Sequence, residues 1–338
     1  MGGIALTNIV NSITQENLIP PVIDNFYEGN VLFMRLRSKK KVWQTGRRLL
    51  LPIQVQDRTA LGSYSGADTF DTTQEDVRQQ FQVDPTQYYA NGTLTGIQVA
   101  ANRGREGVVD IIAEELRSIG IALPQNMGTD LYLDGTGNNN KALEGMVSHV
   151  DDSTNVTTYQ GLSRDTFTTL RSTLTAQSGA LALSDVASDY DAAQRGADAP
   201  SLYVTTPAVF TIYEALITPT VQNNFNPVAG RMRMTAAGLE TGGAVGNQGF
   251  PALAFRGVPF VSDDKCTSQN IYTLNENWLD LYEMPIDSKF QVGQKEGFQW
   301  TGWKQSINQD AIVGQLLWYG NLVGTNPRMH ARRTGVSS

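Results

Sequence analysis

At 338 residues the chain is long enough for two sizeable cores, or for one core carrying long extensions. Hydrophobic residues at 40% and charged residues at 17% exclude a disordered chain, and a net charge of −7 argues against a surface built to grip DNA strongly. The single cysteine, Cys266, excludes an intrachain disulfide and any thiolate metal cluster.

Residues 1–45 read as an arm. No secretory signal opens the chain, and no apolar run anywhere approaches the ~20 residues of a membrane helix. Pro20-Pro21 interrupts any helix, and the run from Asn30 to Arg35 predicts a strand or a short helix. So few apolar residues over such a length cannot bury themselves, so the arm is expected to order only against another molecule. Its charge is one-signed: no acid falls between Glu28 and Asp57, where Arg35, Arg37, Lys39, Lys40, Lys41, Arg47 and Arg48 cluster. No acid follows Asp310 either, and Arg328, Arg332 and Arg333 lie there. Such clusters can meet phosphates by releasing counterions, or pair with acids of a neighbouring protein surface.

Residues 46–100 read as β. The run Leu49–Gln56 becomes alternating toward its end, residues 62–68 form a flexible tip, and Asn91-Gly92 predicts a hairpin turn before Thr93–Val99. The stretch is polar, and a two-stranded ribbon alone is marginal in water, so it is expected to lean on another molecule. A helix is predicted from near Arg103, with Val108, Ile112, Leu116 and Ile119 on one face. Pro124 is expected to kink or end it, with helicity resuming over 125–133 until Asp134-Gly-Thr-Gly stops it. Ser163 is placed to cap a helix carrying Phe167, Leu170 and Leu174, and residues 177–199 read as a surface excursion. Ser201–Thr205 then predicts a strand, followed by a helix with Pro207 at its first position and Val209, Tyr213 and Leu216 on one face. Residues 218–250 read as a mobile loop. Short strands are expected at 258–261, 271–274 and 278–282, with a longer apolar one at 311–323.

Chemistry is thin. Only His149 and His330 could serve as a base; His149 reads as structural and His330 as a solvated tail residue. Gly62-Ser-Tyr-Ser-Gly fails the nucleophile-elbow pattern because its third residue is Tyr64, and no phosphate-binding glycine motif occurs. The acid pairs Asp151-Asp152 and Asp263-Asp264 lack calcium-loop spacing. No catalytic, metal or cofactor residue is therefore assigned.

The segment order, together with Leu131-Tyr-Leu-Asp-Gly-Thr-Gly, the run Leu253–Asp264 containing Gly-Val-Pro-Phe-Val, Ile271-Tyr-Thr-Leu-Asn and the run Tyr319–Arg328, resembles the major capsid proteins of tailed bacteriophages with the Hong Kong 97 fold. The resemblance covers nearly the whole chain. It implies an α+β subunit with an N-terminal arm (1–45), an extended β-loop (46–100), a peripheral domain with a long spine helix (101–157 plus 306–338) and an axial α/β domain (158–305). Tyr203, Phe210 and Tyr213 would lie in the axial core. It further implies pentamers and hexamers of identical copies closing into a head around double-stranded DNA. Portal and scaffolding proteins, and in some members a decoration protein, would be partners, DNA contact would be weak and non-specific, and no membrane would be involved. Assembly would take place in the host cytoplasm, and the protein would end in the virion. For such a subunit the basic clusters are expected to pair with neighbouring copies rather than with DNA. Some members weld subunits through a lysine of the extended loop; here no lysine lies between Val42 and Asn140, so no such bond is expected. The rival readings are an encapsulin-type nanocompartment shell, which shares the fold, and a hydrolase with a carboxylate pair in residues 158–305.

Overall fold

The computed structural model describes residues 30–44, 46–101, 111–221, 252–285 and 297–337. Most of the arm, the start of the predicted spine helix with Val108, and nearly all of the predicted loop at 218–250 lie outside them.

Helix α1 (Val31–Ser38) and strand β1 (Lys41–Val42) open the described chain. Val31, Leu32, Phe33 and Leu36 are buried in the main core, and Trp43 is buried in a second cluster with Val83 and Val323. This corrects the expectation that the whole arm waits for a partner: four apolar residues at helical spacing suffice to dock residues 31–43 on the molecule's own body.

Strands β2 (Leu49–Gln54) and β3 (Arg78–Val83) pair antiparallel as the expected ribbon. Its base packs onto the body through Val55, Phe81, Tyr159 and Leu170, so only the tip stands clear. Strand β4 (Thr86–Thr95) does not turn at Asn91-Gly92 but runs straight through. Gly92 lies directly opposite Gly314 in the ladder. A side chain at Gly314 would collide with Trp300, and one at Gly92 with Ile119, so the two glycines form a flat seat for bulky neighbours rather than a bend.

Helix α2 (Ile111–Asp130) passes through Pro124 without ending. The missing hydrogen bond costs about 3 kcal/mol. Burying Leu123, Met127 and, just beyond the helix, Leu131 contributes roughly 1.5–3 kcal/mol each, which outweighs it. Asn30 Nδ2 also donates to the Pro124 carbonyl at 3.0 Å. Among the described residues of the predicted stripe, Ile119 is buried, Ile112 half-buried and Leu116 exposed, and the buried face continues through Leu123 and Met127.

Beyond α2, the helix expected from Ser163 is replaced by a short 3-10 turn (Thr168–Leu170) and strand β5 (Thr173–Ala176). The predicted surface excursion instead holds helix α3 (Leu183–Ala193), which buries Val186, Asp189 and Ala193. Strand β6 (Leu202–Thr205) and helix α4 (Pro207–Val221) follow as expected. Then come β7 (Ala252–Phe255), β8 (Val258–Ser262), β9 (Ile271–Leu274) and β10 (Leu279–Glu283). Toward the C-terminus follow β11 (Gln299–Trp300), β12 (Lys304–Gln305), β13 (Ala311–Gly324) and β14 (Ala331–Thr334).

Two six-stranded sheets result. The first is built on β13, which pairs antiparallel with β4 along one edge, with β11 and β12 along the other, and with β10, which carries β1. The second runs β5-β14-β9-β6-β8-β7. Its central strands are buried on both faces. Leu202, Val204, Val261, Tyr272 and Leu274 face the core shared with α1 and α2, while Tyr203, Phe260 and Ile271 face α3 and α4. Phe260 stacks between Tyr203 (5.3 Å) and Tyr213 (4.1 Å), with Phe210 packed alongside. The sheets do not divide where sequence ranges suggest: β10 joins the first sheet, and β14 joins the second.

Candidate functional site

The basic residues singled out by sequence fall into three groups. On α1 and β1, cations surround buried acids. Arg35 makes a two-pronged contact with Glu276 at 2.8 and 2.7 Å. Lys40 reaches Glu283 at 2.6 Å and Arg37 reaches it at 3.4 Å, while Trp318 Nε1 donates to the same carboxylate at 3.0 Å. Lys41 pairs with Asp280 at 2.7 Å, and that hydrogen bond raises its pKa. Burial pushes the Glu276 carboxyl up, but Arg35 and Lys39 outweigh it and hold it below the ordinary value. Of these cations Lys39, 58% exposed, and Lys41, 52% exposed, stay largely in water.

Arg48, at the root of the ribbon, holds Asp84 through two contacts of 2.7 and 2.8 Å, lowering that carboxyl's pKa. Arg47 and Arg328 are exposed, and neither forms a salt bridge among the described residues.

Arg332 and Arg333 are corrections to the expected outward-facing set. Both are buried. Arg333 grips Asp189 at 2.7 and 2.8 Å and Gln177 at 2.6 Å; Arg332 lies 3.6 Å from Asp151. Their strand β14 is interior to the second sheet, so the two consecutive arginines point to opposite faces and each meets one acid there, Asp151 and Asp189. His330 is likewise buried rather than solvated, and accepts the Asn275 amide at 3.2 Å. His149 is buried as expected, with its Nδ1 2.8 Å from the Tyr159 hydroxyl, which donates to the Gly324 carbonyl. Burial holds both imidazoles neutral, with pKa values lowered to about 3.

The loop acids explain two of the quoted motifs. Asp263 accepts the Leu32 amide and the Tyr132 hydroxyl, both at 2.9 Å, and so ties α1, the turn after α2 and β8 together. Asp151 accepts the amides of Ser153, Asn155 and Val156. Both act as staples for backbone, and among the described residues no group of three or more His, Cys, Asp or Glu is placed to hold a metal ion. An open groove of about 1120 Å³ lies beside the ribbon root, lined by Arg48, Asp84, Asp134, Lys141, Glu144 and Asn321 among others. Burial and the nearby Asp84 charge raise the Glu144 carboxyl to about 7.

The ribbon tip was legible only as flexible and polar. Every residue from Leu61 to Gln74 is exposed, including Leu61 (78%), Tyr64 (66%) and Phe70 (62%). Tyr64 and Phe70 meet edge to face at 4.9 Å. Apolar side chains on an outstretched loop mark a contact surface rather than a core. Among the described residues no helix is long and apolar enough to cross a membrane.

No family model and no curated protein matches the chain. Solved structures do. The capsid asymmetric unit of cyanophage A-1(L) matches with a TM-score of 0.70 at 15% identity, over 98% of this chain and 100% of that one. The capsid of Myoviridae phage XM1 matches at 0.60 and 11% identity, over 99% and 100%. The holo-SrpI encapsulin complex from Synechococcus elongatus PCC 7942 matches at 0.60 and 11% identity, over 98% and 95%. The chain therefore has the α+β Hong Kong 97-like capsid fold.

Proposed function

We propose that this chain is the major capsid protein of a tailed bacteriophage, many copies of which close into an icosahedral or prolate head around double-stranded DNA. The observation that carries the reading is co-extension: the fold matches a cyanophage capsid chain over 98% of this chain and 100% of that one. The outstretched ribbon supports it, because a tip with no core of its own gains stability only against a neighbour. In this reading the ribbon is the extended loop, α2 is the spine of a peripheral domain, and the second sheet with α3 and α4 is the axial domain at the capsomer centre. The role is structural, without a catalytic centre. Portal and scaffolding proteins, and a decoration protein where one exists, are the partners. DNA is contacted weakly, and heads form in the host cytoplasm.

Repeated heterologous contacts close the shell. Each subunit should bury well over ~2,000 Å² against its neighbours, as obligate contacts do. With no lysine between Val42 and Asn140, the ribbon cannot supply an amine, and the shell is held non-covalently. Boiled samples in denaturing gels should run as single chains; ladders of linked subunits would refute this.

The experiment that tests the main reading is negative-stain imaging of the purified protein. Closed shells with protected nucleic acid are expected; only monomers or small oligomers at high concentration would sink it. The encapsulin match, at TM-score 0.60 over 98% of the chain, favours a second reading: a nanocompartment. Uniform small shells that hold an enzyme and no nucleic acid would decide for that alternative.

A further inference from the structure

The basic rim and the ribbon tip carry opposite charge surpluses. On the rim, Arg35, Arg37, Lys39, Lys40, Lys41 and Arg47 stand against three contacting acids, Glu276, Asp280 and Glu283, a surplus of three positive charges among the described residues. Glu276 and Glu283 are buried beneath and Asp280 is half-buried, while Lys39, Lys41 and Arg47 are exposed, so the surplus faces outward. On the tip, residues 57–76 contain Asp57, Asp68, Asp71, Glu75 and Asp76 against Arg58 alone, a surplus of four negative charges.

The two surfaces cannot satisfy each other within one molecule. The rim adjoins the ribbon's root, where Trp43 packs with Leu49 and Tyr282. The tip lies eight or more extended residues away, which at about 3.3 Å per residue is roughly 25 Å. Over that span a charge is screened by salt, since the Debye length is about 10 Å at 0.1 M. Three exposed apolar side chains, Leu61, Tyr64 and Phe70, share the tip with the acids. A partner must therefore offer positive charge beside surface that can cover aromatic rings. The rim does so: Val42 and Met34 are exposed among its cations.

We propose that the acidic, aromatic tip of one copy docks on the basic rim formed by α1, β1 and Arg47 of a second copy, making shell closure dependent on ionic strength. The proposal rests on the shell-forming reading above, and adds to it which two surfaces meet and what force selects the pairing. The rim cations thus have two roles. Their inner contacts fix α1 and β1 to the body, and their outer charge recruits the neighbour's tip. Each exposed pair is weak, so selectivity comes from several acting together with the apolar contact.

Charge reversal tests it with the full-length protein. The tip variant is Asp68→Lys with Asp71→Lys. The rim variant is Lys39→Glu with Arg47→Glu, chosen because Lys39 is 4.0 Å from its acid and Arg47 forms no salt bridge among the described residues. Sedimentation reads the assembled fraction at about 0.1 M and about 1 M salt. Each variant should leave roughly tenfold less assembled protein at low salt, and the four-substitution chain should recover to near the parent level. Assembly of the parent should weaken as salt rises.

Normal assembly of either reversed variant would overturn the proposal, as would failure of the combined chain to recover while it melts like the parent. Normal shells that retain less nucleic acid in the rim variant would assign the rim to nucleic acid instead, and also overturn it. If a reversed variant does not fold, Asp68→Asn with Asp71→Asn and Lys39→Gln with Arg47→Gln take its place, and unchanged salt dependence in both would count against the proposal. A parent chain that forms no shell under any condition would refute the shell-forming reading itself, an outcome distinct from intact shells indifferent to these substitutions.

Discussion

At the scale of single residues, the buried charges decide stability. Arg333 and Asp189 form a paired, hydrogen-bonded contact beneath the second sheet, and burial, helped by the Asp185 charge, raises the Asp189 carboxyl in spite of Arg333. Arg333→Met should destabilise the subunit by about 3–5 kcal/mol, because it strands a carboxylate in low dielectric. Adding Asp189→Asn should recover part of the loss. Denaturant unfolding of dissociated subunits measures both, and a loss under about 1 kcal/mol would show the pair to be dispensable. The histidines add a pH dependence. Their folded pKa values of about 3 lie below the ordinary 6.5, so the unfolded chain binds protons that the folded one refuses. Stability is therefore full above about pH 6.5 and falls as pH drops toward 3, by at most about 1.4 kcal/mol per pH unit for each histidine. Glu144 acts with the opposite sign: its folded value of about 7 exceeds 4.5, so the stability it supplies is present below about 4.5 and is lost as pH rises through 7. Glu144→Gln should therefore raise the melting temperature at pH 8, by about 1–2 kcal/mol of stability, and leave it nearly unchanged at pH 4.5. Of these roles only that of His149, read as structural, was visible in the sequence. Arg332, Arg333 and His330 sit in a run without acids, which reads as solvated, and their partners Asp151, Asp189 and Asn275 lie 55 to 181 positions earlier.

At the scale of elements, sequence was most informative where periodicity and punctuation agreed. Strand β6 and helix α4, with Pro207 at its first turn, fall where expected, as do β8, β9, β10 and the long β13. It misled where one residue has two uses. Asn91-Gly92 has turn chemistry, yet Gly92 is needed for its missing side chain, facing Gly314 beneath Trp303. Gly314→Val should accordingly destabilise the subunit by about 1–3 kcal/mol or more, since its Cβ would fall 2.2 Å from the Trp300 ring. A melting temperature equal to the parent's would show that the indoles can move aside. Helix α3 escaped notice because its buried side is only Val186, Asp189 and Ala193, too polar and too small to stand out as an apolar stripe.

For the molecule as a whole, residue patterns located the ribbon and the long helix, and missed how strands are shared between the sheets. Local pattern says what a segment becomes; it does not say which sheet a strand enters, since that is settled by pairings across the chain. Replacing residues 57–76 by a short glycine linker should leave the subunit folded with an unchanged melt, because the ribbon's base is anchored through Val55, Phe81, Tyr159 and Leu170, while shell formation is lost. Far-UV circular dichroism and sedimentation read the two effects separately, and intact shells from the shortened chain would rule out a closing role for the tip.

Strands β13 and β14 are the last described in the chain, yet they lie inside the two sheets, β13 between β4 and β11 and β14 between β5 and β9. The first sheet cannot be completed until the ribosome has passed Gly324, nor the second until it has passed Thr334. Every nascent chain therefore stays incompletely paired through most of its synthesis. A prematurely terminated polypeptide would lack the middle of both layers, and proteases rather than the particle would receive it.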